Sequence, residues 1–311
     1  MAVPMASVAS REDVRACQIC GSEARNAMFR DGPYEVMRCE GCGLVYVTPR
    51  LSGEALRAVY GADYWQSQSP KTKGYADYAK DAELYLKTFR RRFRMLRRFL
   101  GAAPRRVLDI GCAAGFFLRV CRELGHAPFG VEISTAIGKL AEQELGADRV
   151  HLGDLDSAIA TRPQTFAPGS FGLVSLWDVV EHVPDPQALL RSARSMLAPD
   201  GLLVLETQNV ASRFARALGP KWQHYKHEEH LFHFDPTTIR ALLGQAGFEV
   251  VHLTARYGGK YVSFGFIAER AARLNKVASL LLSPLRWFGS ANVYLNFFDE
   301  MIVIAKPVAP A

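Results

Sequence analysis

The chain reads as an α/β protein, an open and mostly parallel sheet with helices on its faces, preceded by a small cysteine-bound ribbon. Two observations predict this. The apolar run Arg106-Val107-Leu108-Asp109-Ile110 enters the small-residue turn Gly111-Cys112-Ala113-Ala114-Gly115 and then Phe116-Phe117, and the next strand-like stretch ends at Val131-Glu132-Ile133. A strand that feeds a helix through such a turn lets the backbone approach a ligand closely, which makes a nucleotide pocket. The second observation is a pair of Cys-x-x-Cys-Gly knuckles, Cys17 to Gly21 and Cys39 to Gly43. With 311 residues, 49% hydrophobic and 22% charged, the chain can bury a proper core in roughly two domains.

Residues 1–14 read as a loose tail, because they carry neither a sustained apolar core nor a basic leader. No apolar stretch approaches the ~20 residues needed to span a bilayer. The expectation is a cytoplasmic protein. Residues 15–50 form the ribbon. Each knuckle places two thiolates on one side of a tight turn, and the following glycine permits the left-handed backbone that aims amides at sulfur. Cys17, Cys20, Cys39 and Cys42 together make an all-sulfur tetrahedral site for a structural Zn2+ with no open position, and the alternative is two disulfides. Cys112 and Cys121 read as small buried residues beside the first helix of the pocket.

Residues 51–104 read as a helical linker or lid. Tyr60-Gly61-Ala62-Asp63-Tyr64-Trp65 offers aromatic rings either to a lid over the site or to packing between domains. From Tyr75 to Leu100 the apolar residues Phe89, Phe93, Leu96, Phe99 and Leu100 recur at helical spacing, and Arg90, Arg91, Arg92, Arg94, Arg97 and Arg98 fill most remaining positions. One face is core; the other is basic and carries much of the net charge of +7. That face is either solvated or attractive to phosphorylated substrates, anionic lipid or RNA.

In the part from 105 to 311, acidic residues decide which nucleotide fits. Asp109 would repel a pyrophosphate but suits a ligand with an amine and a sulfonium, and Glu132 is placed to accept from two ribose hydroxyls. A dinucleotide-type Gly-x-Gly-x-x-Gly would need glycine at Ala113 and Phe116. Further strands follow at Phe171-Gly172-Leu173-Val174-Ser175-Leu176-Trp177, Gly201-Leu202-Leu203-Val204-Leu205-Glu206, Phe248 to Leu253 and Glu300 to Lys306. Asp235-Pro236-Thr237-Thr238 opens a capped helix between them.

From about Arg105 to Lys306 these residues resemble the class I S-adenosylmethionine-dependent methyltransferases. With the knuckles and Val45-Tyr46-Val47-Thr48-Pro49-Arg50, nearly the whole chain resembles bacterial members with an N-terminal zinc-binding domain, many of which decorate sugars, lipids or other metabolites. The resemblance implies a Rossmann-like seven-stranded sheet with the last strand antiparallel and an insertion at about 257–298. It implies S-adenosyl-L-methionine as cofactor, contacted by Asp109, Gly111, Ala113, Gly115, Glu132, Ile133, Asp154, Leu155, Trp177 and Asp178. Ala113 replaces the family's middle glycine. A nucleotide-binding fold without methyl transfer, or a zinc-stabilised binding module, is the non-enzyme alternative.

For the acceptor, the resemblance implies a small molecule or a lipid or glycan precursor, methylated at oxygen. A nucleic-acid partner is disfavoured: base-amino methylation uses an Asn/Asp-Pro-Pro-aromatic tetrapeptide after the fourth strand, where this chain has Trp177-Asp178-Val179-Val180. Catalytic candidates are His182, His230 and His233, since imidazole can take a hydroxyl proton near neutral pH. Asp178-Val179-Val180-Glu181-His182 resembles the Glu-x-x-Glu-His segment that ubiquinone-pathway O-methyltransferases associate with a divalent metal, so Mg2+ at Asp178, Glu181 and His182 is one expectation. A metal-free base at His182 and a structural tie are the others. His227-Glu228-Glu229-His230 has the wrong spacing for a zincin site. The apolar stretch Val277 to Phe288, broken by Pro284, reads as a pocket cap, core packing or a peripheral membrane contact.

Overall fold

The computed structural model describes residues 11–61, 65, 81–268, 284, 287, 289 and 291–308. Residues 75–80 of the expected helix, most of the 277–288 stretch and residues 1–10 of the tail lie outside the described residues. The N-terminal part runs through β1 (Arg11–Glu12), β2 (Arg25–Asp31), β3 (Tyr34–Cys39), β4 (Val45–Thr48), β5 (Arg50–Leu51) and α1 (Gly53–Val59). Next comes α2 (Ala82–Leu100), and then strands alternate with helices: β6 (Arg106–Ile110), α3 (Phe116–Glu123), β7 (Ala127–Glu132), α4 (Thr135–Leu145), β8 (Val150–Leu152), α5 (Leu155–Thr161) and β9 (Phe171–Trp177). The remainder is α6 (Pro186–Met196), β10 (Leu197–Gln208), α7 (Arg213–Leu218), β11 (Phe232–His233), α8 (Pro236–Gln245), β12 (Phe248–Thr254), β13 (Lys260–Ser263), β14 (Asn292–Leu295) and β15 (Glu300–Pro307).

Seven strands form the main sheet in the order β12-β15-β10-β9-β6-β7-β8. The ladders from β10 to β8 are parallel, and β15 lies antiparallel between β10 and β12. The expected seven-stranded topology is therefore present. The central strands β6, β9 and β10 are largely apolar and buried because both faces are covered. Leu108 and Ile110, Val174 and Leu176, and Leu203 and Leu205 point into one core. Their sequence neighbours Val107, Leu173, Leu202 and Val204 point into the other, as the two-residue period of a strand requires.

The two cores have different partners. On one face α2 and α3 pack through Leu86, Phe93, Leu96, Phe117 and Val120, joined by Ala141 of α4. On the opposite face α6 and α8 contribute Leu190, Ala193, Ile239 and Leu242, and this core continues into the ribbon through Cys17, Leu44, Tyr46 and Leu51. The ribbon is also stitched on by backbone. β11 adds to its sheet, whose order is β11-β4-β3-β2, with Phe232 opposite Tyr46 and His233 opposite Val45. The α8 start follows its sequence signal: the Asp235 carboxylate accepts from the amides of Thr237 and Thr238, and the Thr238 hydroxyl accepts from the Asp235 amide at 2.9 Å.

One expectation about α2 needs correction. Arg92 does not share the solvated basic face; it is buried against the Phe89 and Trp177 rings and paired with the buried Glu206. A guanidinium can enter a core only when a carboxylate meets it, and that partner lies 114 residues away in sequence. No described helix is long and apolar enough to cross a membrane. In the insertion, β13 and β14 pair antiparallel, with Lys260 opposite Leu295.

Candidate active site and cysteine cluster

In the ribbon, the sulfurs of Cys17, Cys20, Cys39 and Cys42 all lie within 4.8 Å of one another. Cys17 and Cys42 are 3.4 Å apart, as are Cys20 and Cys39. Sulfurs at ~2.3 Å from a shared tetrahedral ion are about 3.8 Å apart, so the cluster fits Zn2+. Gly21 and Gly43 take positive φ, 71° and 82°, as each knuckle requires. Burial pushes the Cys39 thiol up, and the amides of Cys42 and Gly41 with the Cys20 thiol outweigh it, bringing Cys39 down to about 7.

The cofactor turn is built at the carboxyl ends of β6 and β7, where open α/β sheets place their ligands. Gly111, Ala113 and Gly115 all have positive φ, at 76°, 46° and 79°. A Cβ on Gly111 would come within 2.6 Å of the Val179 side chain, so only glycine lets the turn lie against the loop after β9. Ala113 holds the left-handed conformation without glycine's freedom. Glu132 latches the turn: one carboxylate oxygen accepts from the Ala113 amide and the other from the Ser134 amide, both at 2.8 Å. Each oxygen retains a second lone pair. Asp109 is buried at the end of β6 and accepts from the Ser175 hydroxyl at 2.6 Å; burial first, and then Glu132, raises its carboxyl to about 8. Ile133 is exposed beside the turn, Asp154 caps α5 by accepting from the Ser157 amide, and Leu155 is buried behind it. The Trp177 indole packs against Phe89 and Phe117, and its buried N–H has no hydrogen-bond partner among the described residues.

Past β9 the chain turns sharply at Asp178, whose φ is 53°. The Asp178 carboxylate meets the Lys260 ammonium at 3.4 Å, and the same ammonium reaches Glu300 at 3.2 Å. Burial would raise Asp178, but Lys260 and Arg92 outweigh it and hold the carboxyl below its usual range. Glu300 moves the other way, raised by burial to about 7. Glu181 is also buried, and one of its oxygens has no partner among the described residues; burial and then Asp178 push its carboxyl well up.

His182 is held with unusual definition. Its Nδ1 lies 2.8 Å from the Glu229 carbonyl and 2.8 Å from the Tyr60 hydroxyl. A carbonyl can only accept, so Nδ1 carries the proton and Nε2 carries the lone pair. Burial lowers the pKa of this imidazole, favouring its neutral form. His230 packs edge-on to it with ring centroids 4.6 Å apart, and burial lowers its pKa strongly. Donor atoms of Glu181, His182 and His230 lie within 4.8 Å of one another. Asp178 does not join this group, and neither does His233, which is fully buried on β11 facing the amide of Gln208. The expected triplet Asp178, Glu181, His182 is thus replaced by one containing His230, because the loop after β9 is bound to the histidine segment through the amides of Leu231 and Phe232 on the Glu181 carbonyl.

Sequence reasoning missed Lys260, the Arg92–Glu206 pair, Glu300 and the role of Tyr60. Glu206 had one visible signal, an acid closing an apolar strand; Lys260 had none. The aromatic segment does reach the site: Trp65 donates its indole N–H to the Ser134 hydroxyl at 2.9 Å and packs on the cofactor turn, while Tyr60 touches His182.

Comparison with known proteins places residues 78–253, more than half of the chain, in a match to the model of a methyltransferase domain family. A ubiquinone biosynthesis O-methyltransferase from Xanthomonas euvesicatoria pv. vesicatoria is 29% identical over 167 residues, covering 49% of this chain and 65% of the relative. One with the same name from Bradyrhizobium diazoefficiens is 38% identical over 104 residues, covering 33% of this chain and 40% of the relative. The chain thus spans less than two thirds of the length of the curated relatives it matches. A chain from the complex of the Haloferax volcanii Trm112 methyltransferase activator with a methyltransferase superposes with a TM-score of 0.51 at 16% identity, covering 75% of this chain and 95% of that one.

Proposed function

Because the chain belongs to the methyltransferase domain family, we propose that it transfers a methyl group from S-adenosyl-L-methionine to an oxygen of a small-molecule, lipid or glycan-precursor acceptor. The observation that carries this reading is the juxtaposition of the glycine turn with a fixed, neutral imidazole. Val179 packs against Gly111, three residues before His182, whose Nδ1 is held by two oxygens and whose Nε2 is left as a base. The relatives named as O-methyltransferases support oxygen as the methylated atom.

The cofactor supplies an electrophilic methyl on a sulfonium. The turn's left-handed residues and its lack of bulk suit close backbone approach to it, and the spare lone pairs on Glu132 suit ribose hydroxyls. His182 Nε2 would take the acceptor hydroxyl proton while the oxygen gains the methyl and the sulfur leaves as a neutral thioether, and Tyr60 and Glu229 keep the ring from rotating. Trp177, Asp178 and Ile133 stand at the carboxyl ends of β9 and β7, where open α/β sheets bind their ligands. In the ribbon a structural Zn2+ fits the four sulfurs and, with no open position, holds β3 and β4, which in turn seat β11 and the histidine segment.

A second reading rests on Glu181, His182 and His230. Two imidazoles and one carboxylate suit a transition ion such as Zn2+ better than Mg2+, which prefers oxygen ligands and retained water. Mg2+ therefore does not fit this donor set. The test of the main reading is incubation with isotopically labelled cofactor and a panel of hydroxylated acceptors, read by mass spectrometry. Label appearing on an acceptor oxygen supports it; failure to bind the cofactor in calorimetry overturns it.

A further inference from the structure

Six arginines lie on α2, and the fold treats them unequally. Arg90 is paired with Glu123 and Arg92 with Glu206. Arg91, Arg94 and Arg98 follow at spacings of three and four, which puts them on one helix face. They line a cleft of about 250 Å³ with Arg256 and Tyr257, and no carboxylate among the described residues forms an ion pair with any of these four guanidinium groups.

The cleft is constructed. The Arg91 guanidinium lies 4.2 Å over the Tyr294 ring and 5.5 Å from the Tyr257 centroid, and its buried Nε has no hydrogen-bond partner among the described residues. Arg256 is fixed through its backbone: its amide donates to the Thr254 hydroxyl at 3.1 Å, and its carbonyl accepts from Tyr294 at 3.3 Å and Asn296 at 3.0 Å. A larger arginine-lined cleft at the opposite end of the sheet is different, because three of its four arginines already meet carboxylates. There Arg105 meets Asp200, Arg122 meets Glu144, Arg149 meets Asp148 and Arg106 donates to the Thr165 carbonyl.

We propose that Arg91, Arg94, Arg98 and Arg256 form a binding site for a phosphate or diphosphate group. Four like charges gathered without a counterion repel one another, and an anion seated among them removes that cost. Guanidinium forks match phosphoryl oxygens two at a time. Residues 91 and 98 are separated by roughly 10 Å along the helix axis, a span that favours a diphosphate over a single phosphate. The site also adjoins the charged cluster past β9. Tyr257 accepts from Arg92 Nε at 3.4 Å, and Lys260, three residues further on, meets Asp178 and Glu300. The inference does not depend on methyl transfer, because the ligand is read without the cofactor.

The test titrates inorganic pyrophosphate into the full chain by calorimetry, alongside sedimentation with phosphatidylcholine vesicles with or without phosphatidic acid. Arg94→Gln/Arg98→Gln is the variant, since both side chains are exposed and their removal leaves the core intact; an unchanged melting temperature verifies this. Pyrophosphate binding that weakens with salt and drops about tenfold or more in the variant supports a soluble phosphorylated ligand. Binding only to phosphatidic-acid vesicles, lost in the same variant, supports a lipid headgroup as the source. The proposal is overturned if neither probe binds, if the variant binds as well as the parent, or if only single-stranded RNA is retained.

Discussion

Replacing Arg92 with methionine removes the positive half of a pair in which the Arg92 side chain is 3% exposed and that of Glu206 0% exposed. Methionine fills much of the volume, so the cost falls on Glu206, left charged or forced to protonate in a core, and on the Tyr257 carbonyl, which loses the Arg92 Nε donor. Breaking a buried pair from one side costs about 3–5 kcal/mol, which corresponds to a fall in Tm of roughly 5–15 °C. The double variant Arg92→Met/Glu206→Gln, with no charge left to strand, should recover more than half of that loss. Burial pushes the Glu206 carboxyl well above 4.5 even with Arg92 present. A carboxyl whose folded pKa is raised takes up a proton on folding, so its penalty is absent below the unfolded value, grows between the unfolded and folded values and is complete above the folded one. Removing Arg92 raises that folded value further, so the Arg92→Met deficit should shrink as pH is lowered through the parent's folded value. Urea denaturation at pH values spanning it measures this. A single-variant cost below about 1 kcal/mol, or a double variant no more stable than the single, would show that the pair is not what anchors α2 to the sheet.

Other outcomes follow from the same contacts. His182→Ala should lower kcat by roughly 10²–10⁴-fold while cofactor binding by calorimetry stays near normal; full turnover would make His182 a structural tie. Since burial holds the pKa of His182 below 6.5, the acid limb of kcat/KM in the parent should lie below pH 6.5. Glu132→Ala should weaken cofactor binding by about 1.5–3 kcal/mol through loss of charge-assisted hydrogen bonds and slackening of the Ala113 turn, and equal affinity would place the ribose elsewhere. Cys39→Ser should lose the ribbon's bound zinc and, because β4 carries β11, should also depress turnover; full zinc content by mass spectrometry would dismiss the four-sulfur site.

Local signals made much of this protein legible. The knuckles gave the four sulfurs because ligand spacing and glycine turns act within a few residues, and Asp235-Pro236 gave a helix start because capping is local. The turn from Gly111 to Gly115 and the acids at 109 and 132 were readable because strand, turn and helix adjoin in sequence. The site chemistry was less so. Asp178 was expected beside Glu181 and His182, whereas its positive φ and Lys260 draw it away. His233 looked equivalent to His230, yet on β11, opposite Val45, it faces the Gln208 amide, while His230 joins Glu181 and His182.

The sequence by itself determined the order of strands and helices in the main sheet, the four-sulfur cluster of the ribbon and the left-handed turn from Gly111 to Gly115, since each is specified by periodicity, turn chemistry or spacing over a short stretch. Only the tertiary structure decided which charges became partners: Arg92 with Glu206 across 114 positions, Lys260 with both Asp178 and Glu300, Tyr60 and His230 with His182. It also separated the arginines of one helix into paired and unpaired sets. A one-dimensional pattern shows which side of a helix a residue occupies, but the cost of burying its charge is settled by whatever the folded chain brings within a few ångströms.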